Sequence, residues 1–390
     1  MSLSNRITTL TPDASGGWEL FFRARAMIDA GEQVTELTIG EHDIRTDTRI
    51  LDEMHRAARA GHTGYAAIPG IAPLREEIAA RVQAATGVPT TLDNVVVTAG
   101  GQAALFAAHV ATCDSGDRAL FIDPYYATYP GTLRGASATP VPVKASPDSA
   151  FQPDPADIDA AAADGAASLL INSPNNPTGV VYSRTTLEGI AEVAQNSDFW
   201  VISDEVYDTQ VWQGDHLSIR ALPGMAERTL VVGSMSKSHA MTGSRIGWIV
   251  GPKEAIAHIT NLSTHTNYGV AGFVQDAALY ALRQGPGFEE EIAAPFRRRR
   301  EIALDILAGQ NVVRAVPPQG AMYLMLDIRA TGLSGNAFAE KLLDTHRIAV
   351  MPGESFGKAA SGHIRVAMTI GDDAFAAALK SLVAFAAAQI

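Results

Sequence analysis

Through the middle of the chain, short apolar runs alternate with stretches of helical period. Val95–Thr98, Ala119–Ile122, Ser168–Ile171, Phe199–Ile202, Leu230–Val232 and Ile246–Val250 are nearly continuous apolar runs, and most end on Gly, Pro, Asn, Asp or Ser. That is the pattern of strands buried on both faces rather than on one. A helix over Ala103–Thr112 fills the first gap, and the interleaving predicts a mostly parallel sheet covered by helices on both sides. Ahead of these runs the pattern predicts helices over Trp18–Ala30, 49–60 and Pro73–Ala85, with a short alternating strand over 34–40. After Ala294 the character changes. A helix over Phe296–Gly309 precedes strands Val312–Val316 and Ala321–Leu326, a helix Ala337–Thr345, strands Ile348–Met351 and Ile364–Met368, and a last alanine-rich helix. The expectation is an α/β protein: a large domain over 46–290 and a smaller α+β domain made from 1–45 and 291–390.

Composition narrows the function. With 47% hydrophobic residues among 390, a sizeable core can be buried. The formal net charge of −12 argues against nucleic acid or an anionic membrane as the main partner. The run Arg297–Arg300 lies within a helical pattern and reads as a solvated helix face. Cys113 is the one cysteine, so neither an intrachain disulfide nor a cysteine metal cage is available, and its apolar setting suggests a buried small hydrophobe. No His-Glu-x-x-His appears, and no metal is expected. No apolar run is long enough to span a membrane, and the start of the chain lacks a signal-peptide layout, so the expected location is the cytoplasm.

The chemistry-bearing residues gather where apolar runs end. In an open parallel sheet, ligands bind beyond the carboxyl ends of the strands. There lie Gly100-Gly101-Gln102, Tyr126, Asn176, Asp204, Tyr207 and Lys237. Lys237 follows the strand Thr229–Val232 in a turn with Ser234, Ser236 and Ser238. Desolvation there lowers the pKa of an amine, and a neutral amine can form a Schiff base. Gly100 and Gly101 precede a helix, whose free N–H groups suit a phosphate, although a plain strand–helix turn looks the same. Asp204 ends an apolar strand and needs a partner, either a protonated heteroaromatic nitrogen or an internal cap or ion pair. Asn176, in the rigid turn Asn172–Gly179, can donate a hydrogen bond into the cleft. Arg245 and Arg365 are candidate clamps for a phosphate or carboxylate. Taken together they describe one ligand: pyridoxal 5'-phosphate holding an amino acid.

At this point the chain resembles the class I/II aminotransferases, which have the aspartate-aminotransferase-like fold of pyridoxal-phosphate enzymes. Tyr65–Gly70, Gly100-Gly101-Gln102, Asn172–Gly179, Ser203–Tyr207, Ser234–Gly247 and His363–Ala367 carry the resemblance, in order, from about Thr35 to the end of the chain. It implies a seven-stranded-type sheet in the cofactor-binding domain and ping-pong transfer of an amino group from an L-amino acid to a 2-oxo acid. Lys237 would form the Schiff base and move the proton. Asp204 would face the pyridinium nitrogen, while Tyr207 and Asn176 would hold the phenolic oxygen. Tyr126 would stack on the ring, and Gly101, Gln102, Ser234 and Arg245 would hold the phosphate. A tyrosine matching Tyr65 reaches the neighbouring subunit's phosphate in this family, which implies a homodimer. Arg365 would clamp the substrate carboxylate, with Gly40 close by.

Departures bear on the substrate. The common family loop Gly-Glu-Pro-Asp-Phe is here Gly40-Glu41-His42-Asp43-Ile44, and position 102 is Gln where some members carry Lys. The segments Gly17–Glu32, Asp204–Pro223 and Ser234–Gly243 look similar to arginine–pyruvate transaminases. Glu19, beside Trp18 in the substrate region, would then face a guanidinium. A C–S β-lyase uses the same lysine and clamp and is the rival on the same cofactor. Other transaminase specificities are open too: aspartate, aromatic or alanine. A transcription regulator would need an appended DNA-binding domain, for which the first 30 residues are too short, and a dehydrogenase would need a dinucleotide fingerprint that is missing.

Overall fold

A computed structural model describes residues 1–11 and 18–390. Gly17, the first residue of one segment singled out above, lies outside the described residues. The strands are β1 (Thr35–Glu36), β2 (Val95–Thr98), β3 (Arg118–Asp123), β4 (Thr139–Lys144), β5 (Ser168–Asn172), β6 (Trp200–Asp204), β7 (Thr229–Ser234), β8 (Gly247–Val250), β9 (Arg314–Ala315), β10 (Tyr323–Asp327), β11 (Ile348–Ala349), β12 (Met351–Pro352) and β13 (His363–Ala367).

Seven of them form one sheet in the order β2-β8-β7-β6-β5-β3-β4. All its pairings are parallel except those of β8, which runs antiparallel to β2 and β7. The continuous apolar runs have their cause here, because both faces are covered. Leu120, Leu169 and Val201 pack on one side with Ile158 and Ile190. Phe121, Leu170, Ile202 and Val232 pack on the other with Ala104, Ala108 and Ile256. Each such Leu, Ile or Val contributes roughly 1.5–3 kcal/mol relative to leaving it exposed. Two smaller sheets stand beside this one: β12-β13-β10-β9, and the parallel pair β1-β11. Among the described residues no helix is long and apolar enough to cross a membrane, and no group of three or more His, Cys, Asp or Glu is placed to hold a metal ion.

Several elements differ from the pattern reading. The segment 34–40 forms only the two-residue β1, because beyond Leu37 its carbonyls accept from the side chains of Arg365, Thr369 and Lys237. The Val312–Val316 run contracts to β9. The run at 348–351 divides between two sheets, β11 pairing with β1 and β12 with β13. The Phe296 helix starts earlier, at Pro286, and continues to Ala308 with Pro295 inside it. Elements the pattern reading did not name include β4, the helix Tyr129–Gly135 and the helices Pro155–Ala162, Arg184–Asn196, Lys253–Thr264 and Gly272–Leu282. The arginine run is no plain solvated face. Arg299 is buried and ion-paired to Asp43 and Asp372, and Arg300 donates to the Pro318 carbonyl at 2.6 Å. Cys113 is buried, at the end of the helix Gly101–Thr112, with its thiol 3.3 Å from Ser168 Oγ.

Candidate active site

The carboxyl ends of β5, β6 and β7 open on a cavity of about 380 Å³. β7 ends on Ser234, whose hydroxyl accepts from the Ser236 N–H at 3.1 Å and starts a single turn, Met235–Ser238. Met235 anchors that turn in the core, which leaves Lys237 lining the cavity. Its ammonium donates to the Gly40 carbonyl. Burial holds this lysine below its usual pKa; Tyr323 and Glu41 pull it back up, and Arg365 and Arg245 push it further down. An amine in that setting is available as a nucleophile and as a base.

Asp204, the last residue of β6, is buried in the wall of the same cavity. Burial raises its carboxyl to about 6, against the opposing pull of the Tyr129 hydroxyl, 2.7 Å from Oδ2, and the Val206 N–H, 3.3 Å from Oδ1. A carboxylate desolvated this far stabilises a cation brought opposite it.

A cup of N–H groups lies at the start of the helix Gly101–Thr112, where the first of them have no partner within the helix and could hold an anion. Gly100 precedes it at φ +85°, and a Cβ there would meet the Arg245 guanidinium at 2.5 Å. Glycine therefore lets the turn form and lets Arg245 close over it. Arg245 is tethered to the Thr242 carbonyl at 2.9 Å, and Ser234 and Ser236 lie in the same wall. The Gln102 side chain turns away, donating to Thr132 Oγ1 at 2.7 Å and accepting from Thr128 Oγ1 at 3.0 Å. Its contribution to the cup is thus through the backbone.

A second guanidinium lines the cavity with Lys237. Arg365, in β13, is fully buried between the rings of Tyr323 and Phe356, at 4.4 and 4.3 Å. It donates to Asn176 Oδ1 at 2.8 Å and to the Thr38 carbonyl, and its Nε has no partner among the described residues. The turn holding Asn176 is fixed by its own amides: Asn172 bonds the Asp204 carbonyl (2.9 Å) and the Asn176 N–H (2.8 Å). With its oxygen taken by Arg365, Asn176 keeps Nδ2 for a ligand. The Tyr207 and Tyr323 hydroxyls stand 3.1 Å apart. Gly40 passes so close to Tyr323 that a Cβ would collide with the phenol oxygen.

The structure thus brings together Lys237, Gly101, Gln102, Tyr126, Asn176, Asp204, Tyr207, Ser234, Arg245, Gly40, Arg365 and Trp18, all lining one cavity. Gly100 stands just behind it. Tyr65 is apart: it is 91% exposed and packs against Tyr268, with ring centroids 5.1 Å away. Glu19 lines an adjoining outer cavity of about 1310 Å³ instead of the inner one, with Trp18 bordering both. At the inner cavity the additional carboxylate is Glu41, which accepts from Thr242 Oγ1 at 3.2 Å. The pattern reading missed Tyr129 and Tyr323, and named Ser236 beside Lys237 without giving it a role. Tyr129, three residues past Tyr126, was within reach of a periodicity argument; Tyr323 carried no local signal.

Comparison with known proteins identifies the fold and the family. The family model "Aminotransferase class I and II" matches residues 32–382. An arginine–pyruvate transaminase of Pseudomonas aeruginosa is 38% identical over 371 residues, covering 95% of this chain and 94% of that protein. An aspartate/prephenate aminotransferase of Thermus thermophilus is 34% identical, covering 97% of each. The solved aspartate aminotransferase of Thermus thermophilus with maleate superposes with a TM-score of 0.92 at 34% identity, over 99% of this chain and 100% of that one. That of Thermotoga maritima gives 0.92 at 32%, over 98% and 99%. The fold is that of the aspartate aminotransferases. The chain belongs to the class I and II aminotransferases, transferases of nitrogenous groups.

Proposed function

We propose that this aminotransferase works with pyridoxal 5'-phosphate seated in the inner cavity, and that its amino donor is arginine and its acceptor pyruvate. The observation that carries the cofactor is the pairing, across one cavity, of a lysine of lowered pKa with a buried carboxylate that lacks a full counter-charge. The donor set fits the group's three chemical ends. Asp204 suits a protonated ring nitrogen, the cup of Gly101, Gln102, Ser234 and Arg245 suits a phosphate, and Lys237 suits an aldehyde. Asn176 Nδ2 and the Tyr207 hydroxyl suit the phenolic oxygen, with Tyr126 against the ring. When bound, this cofactor supplies a sink for the electron pair left at the substrate Cα.

The chain's own residues do the rest. Arg365 takes the substrate α-carboxylate; wedged between two rings, it is oriented before substrate arrives and loses little freedom on binding. Lys237, once free of the Gly40 carbonyl, accepts the proton from Cα and returns it on the other side of the transfer. Asp204, kept ionised by Tyr129 and the Val206 N–H, holds positive charge on the ring nitrogen. Buried aromatic walls keep water from the reacting carbon.

For the substrate, support comes from the 38% identity to the arginine–pyruvate transaminase and from Glu41 at the cavity, which would meet a guanidinium. Glu19, in the outer cavity, stands further out. For assembly, the exposed Tyr65, outside its own site, supports a homodimer in which each copy lends this tyrosine to the other's phosphate cup.

The test is a screen of the purified protein with the twenty common amino acids against pyruvate and 2-oxoglutarate. Arginine with pyruvate is expected to be fastest. Faster turnover of aspartate, alanine or phenylalanine would overturn the substrate, and no amino transfer to any acceptor would overturn the function.

A further inference from the structure

We infer that Arg299 is a positioning residue for the transfer site: by gripping Asp43 it fixes the Gly40–Asp43 loop over Lys237, and so sets how well the amino donor binds. The inference rests on the functional reading above and assigns a role to a residue outside the cavity.

Within the arginine run, Arg299 stands apart. Arg297 pairs with the exposed Glu290, and Arg298 with Asp372. Arg299 is 3% exposed, and its fork is fully engaged. Nη1 and Nη2 take the two Asp43 oxygens at 3.0 and 2.6 Å, Nε takes Asp372 at 2.8 Å, and Nη1 also reaches the Met368 carbonyl at 2.9 Å. The two-pronged pair joins a buried arginine to a carboxylate that is 25% exposed; such a pair is a weak source of net stability, because desolvation of the arginine offsets the attraction, but it fixes geometry strongly.

What it fixes is the Asp43 end of a segment that has no regular secondary structure. The backbone of Leu37 still pairs with Ala349 and Ala367. From there to the helix Thr48–Arg59 the chain is irregular. Along this stretch two carbonyls point at the site, Thr38 accepting from Arg365 and Gly40 from Lys237, while Ile39 accepts from Thr369 Oγ1 at 3.1 Å. His42, which replaces the family's proline, sits edge-on to Phe296 at 5.2 Å. Phe296 and Arg299 lie three residues apart on one helix, so a single helix face holds both ends of the loop's tip. The path runs from Arg299 to Asp43 by the ion pair, back along the backbone of His42 and Glu41 to Gly40, and from the Gly40 carbonyl to Lys237.

Two substitutions separate positioning from plain stability. Asp43→Asn and Asp372→Asn each take one carboxylate from the same guanidinium, but only Asp43 belongs to the loop. Asp43→Asn should raise KM for the amino donor about tenfold or more, with a smaller change in kcat. Asp372→Asn should change KM less than twofold while lowering Tm comparably. In the cofactor-free protein, the pH profile of Lys237 labelling by trinitrobenzenesulfonate, read by mass spectrometry, should shift in Asp43→Asn and match wild type in Asp372→Asn. If Asp43→Asn does not fold, Arg299→Lys, which keeps the charge and loses the fork, takes its place with the same expected KM and labelling changes. Equal KM and equal labelling in the two variants would overturn the role. Absence of amino transfer in the wild type would instead overturn the functional reading, and the labelling profile would still decide this one.

Discussion

Replacing Tyr129 with Phe probes the electrostatics on which the site is built. The Tyr129 hydroxyl donates to Asp204 Oδ2 at 2.7 Å, and both groups are buried. Burial raises the Asp204 carboxyl from its usual 3.8 to about 6 even with that donor in place. Since the folded value lies above the unfolded one, the stability linked to this group is fully present below pH 3.8. It is lost as pH rises towards 6 and level above that. At 1.36 kcal/mol per pKa unit the loss is roughly 3 kcal/mol. A hydrogen bond to a charged group contributes about 1.5–3 kcal/mol. Because that donor lowers the carboxyl, removing it carries the carboxyl further up, and the fall in stability should continue to higher pH than in the wild type. Urea unfolding of the cofactor-free protein at pH 5 and pH 8 reads this directly. Tyr129→Phe should be destabilised by about 1.5–3 kcal/mol more at pH 8 than at pH 5. An equal loss at both pH values would mean that Tyr129 acts by packing alone, and the reasoning about Asp204 would be refuted.

Three further outcomes follow from the same geometry. Arg365→Lys keeps a cation and loses the two-pronged grip, so KM for the amino acid should rise by about one to two orders of magnitude with a smaller fall in kcat, in steady-state assays. Gly100→Ala places a Cβ against Arg245 at φ +85°; inorganic phosphate and cofactor should both bind more weakly by calorimetry, and unchanged affinities would contradict the proposed cup. Tyr65→Ala and Lys237→Ala chains should each be impaired alone but regain activity when co-expressed, since a mixed dimer holds one intact site; no recovery would count against a shared site.

Much of the architecture was legible because a parallel sheet buries both faces. Runs such as Leu169–Ile171 and Val231–Val232 then have no polar alternation to confuse them with loops. The site was legible for a related reason: that topology delivers the ends of β5, β6 and β7 to one place, so Asn176, Asp204 and Lys237 converge although they are distant in sequence. β4 escaped because Pro140 and Pro142 read as breakers, yet they are tolerated in a strand paired on one edge only. The helix Tyr129–Gly135 holds Pro130 and Gly131, which hide it the same way. Tyr129 and Tyr323 look like any core tyrosine until their hydroxyls are seen to meet Asp204 and Tyr207. Arg299 was misread with its three neighbours, although it falls in register with the buried Phe296 and Ala303, and that period was the available signal.

The central claim is that one lysine at the mouth of the large sheet tethers the cofactor. Borohydride reduction of the purified holoenzyme, followed by peptide mass mapping, tests it in a single measurement. The account predicts a phosphopyridoxyl group on Lys237 alone and none in Lys237→Ala. The same group found on Lys144, Lys253, Lys341, Lys358 or Lys380, or trapping undiminished in Lys237→Ala, would contradict it.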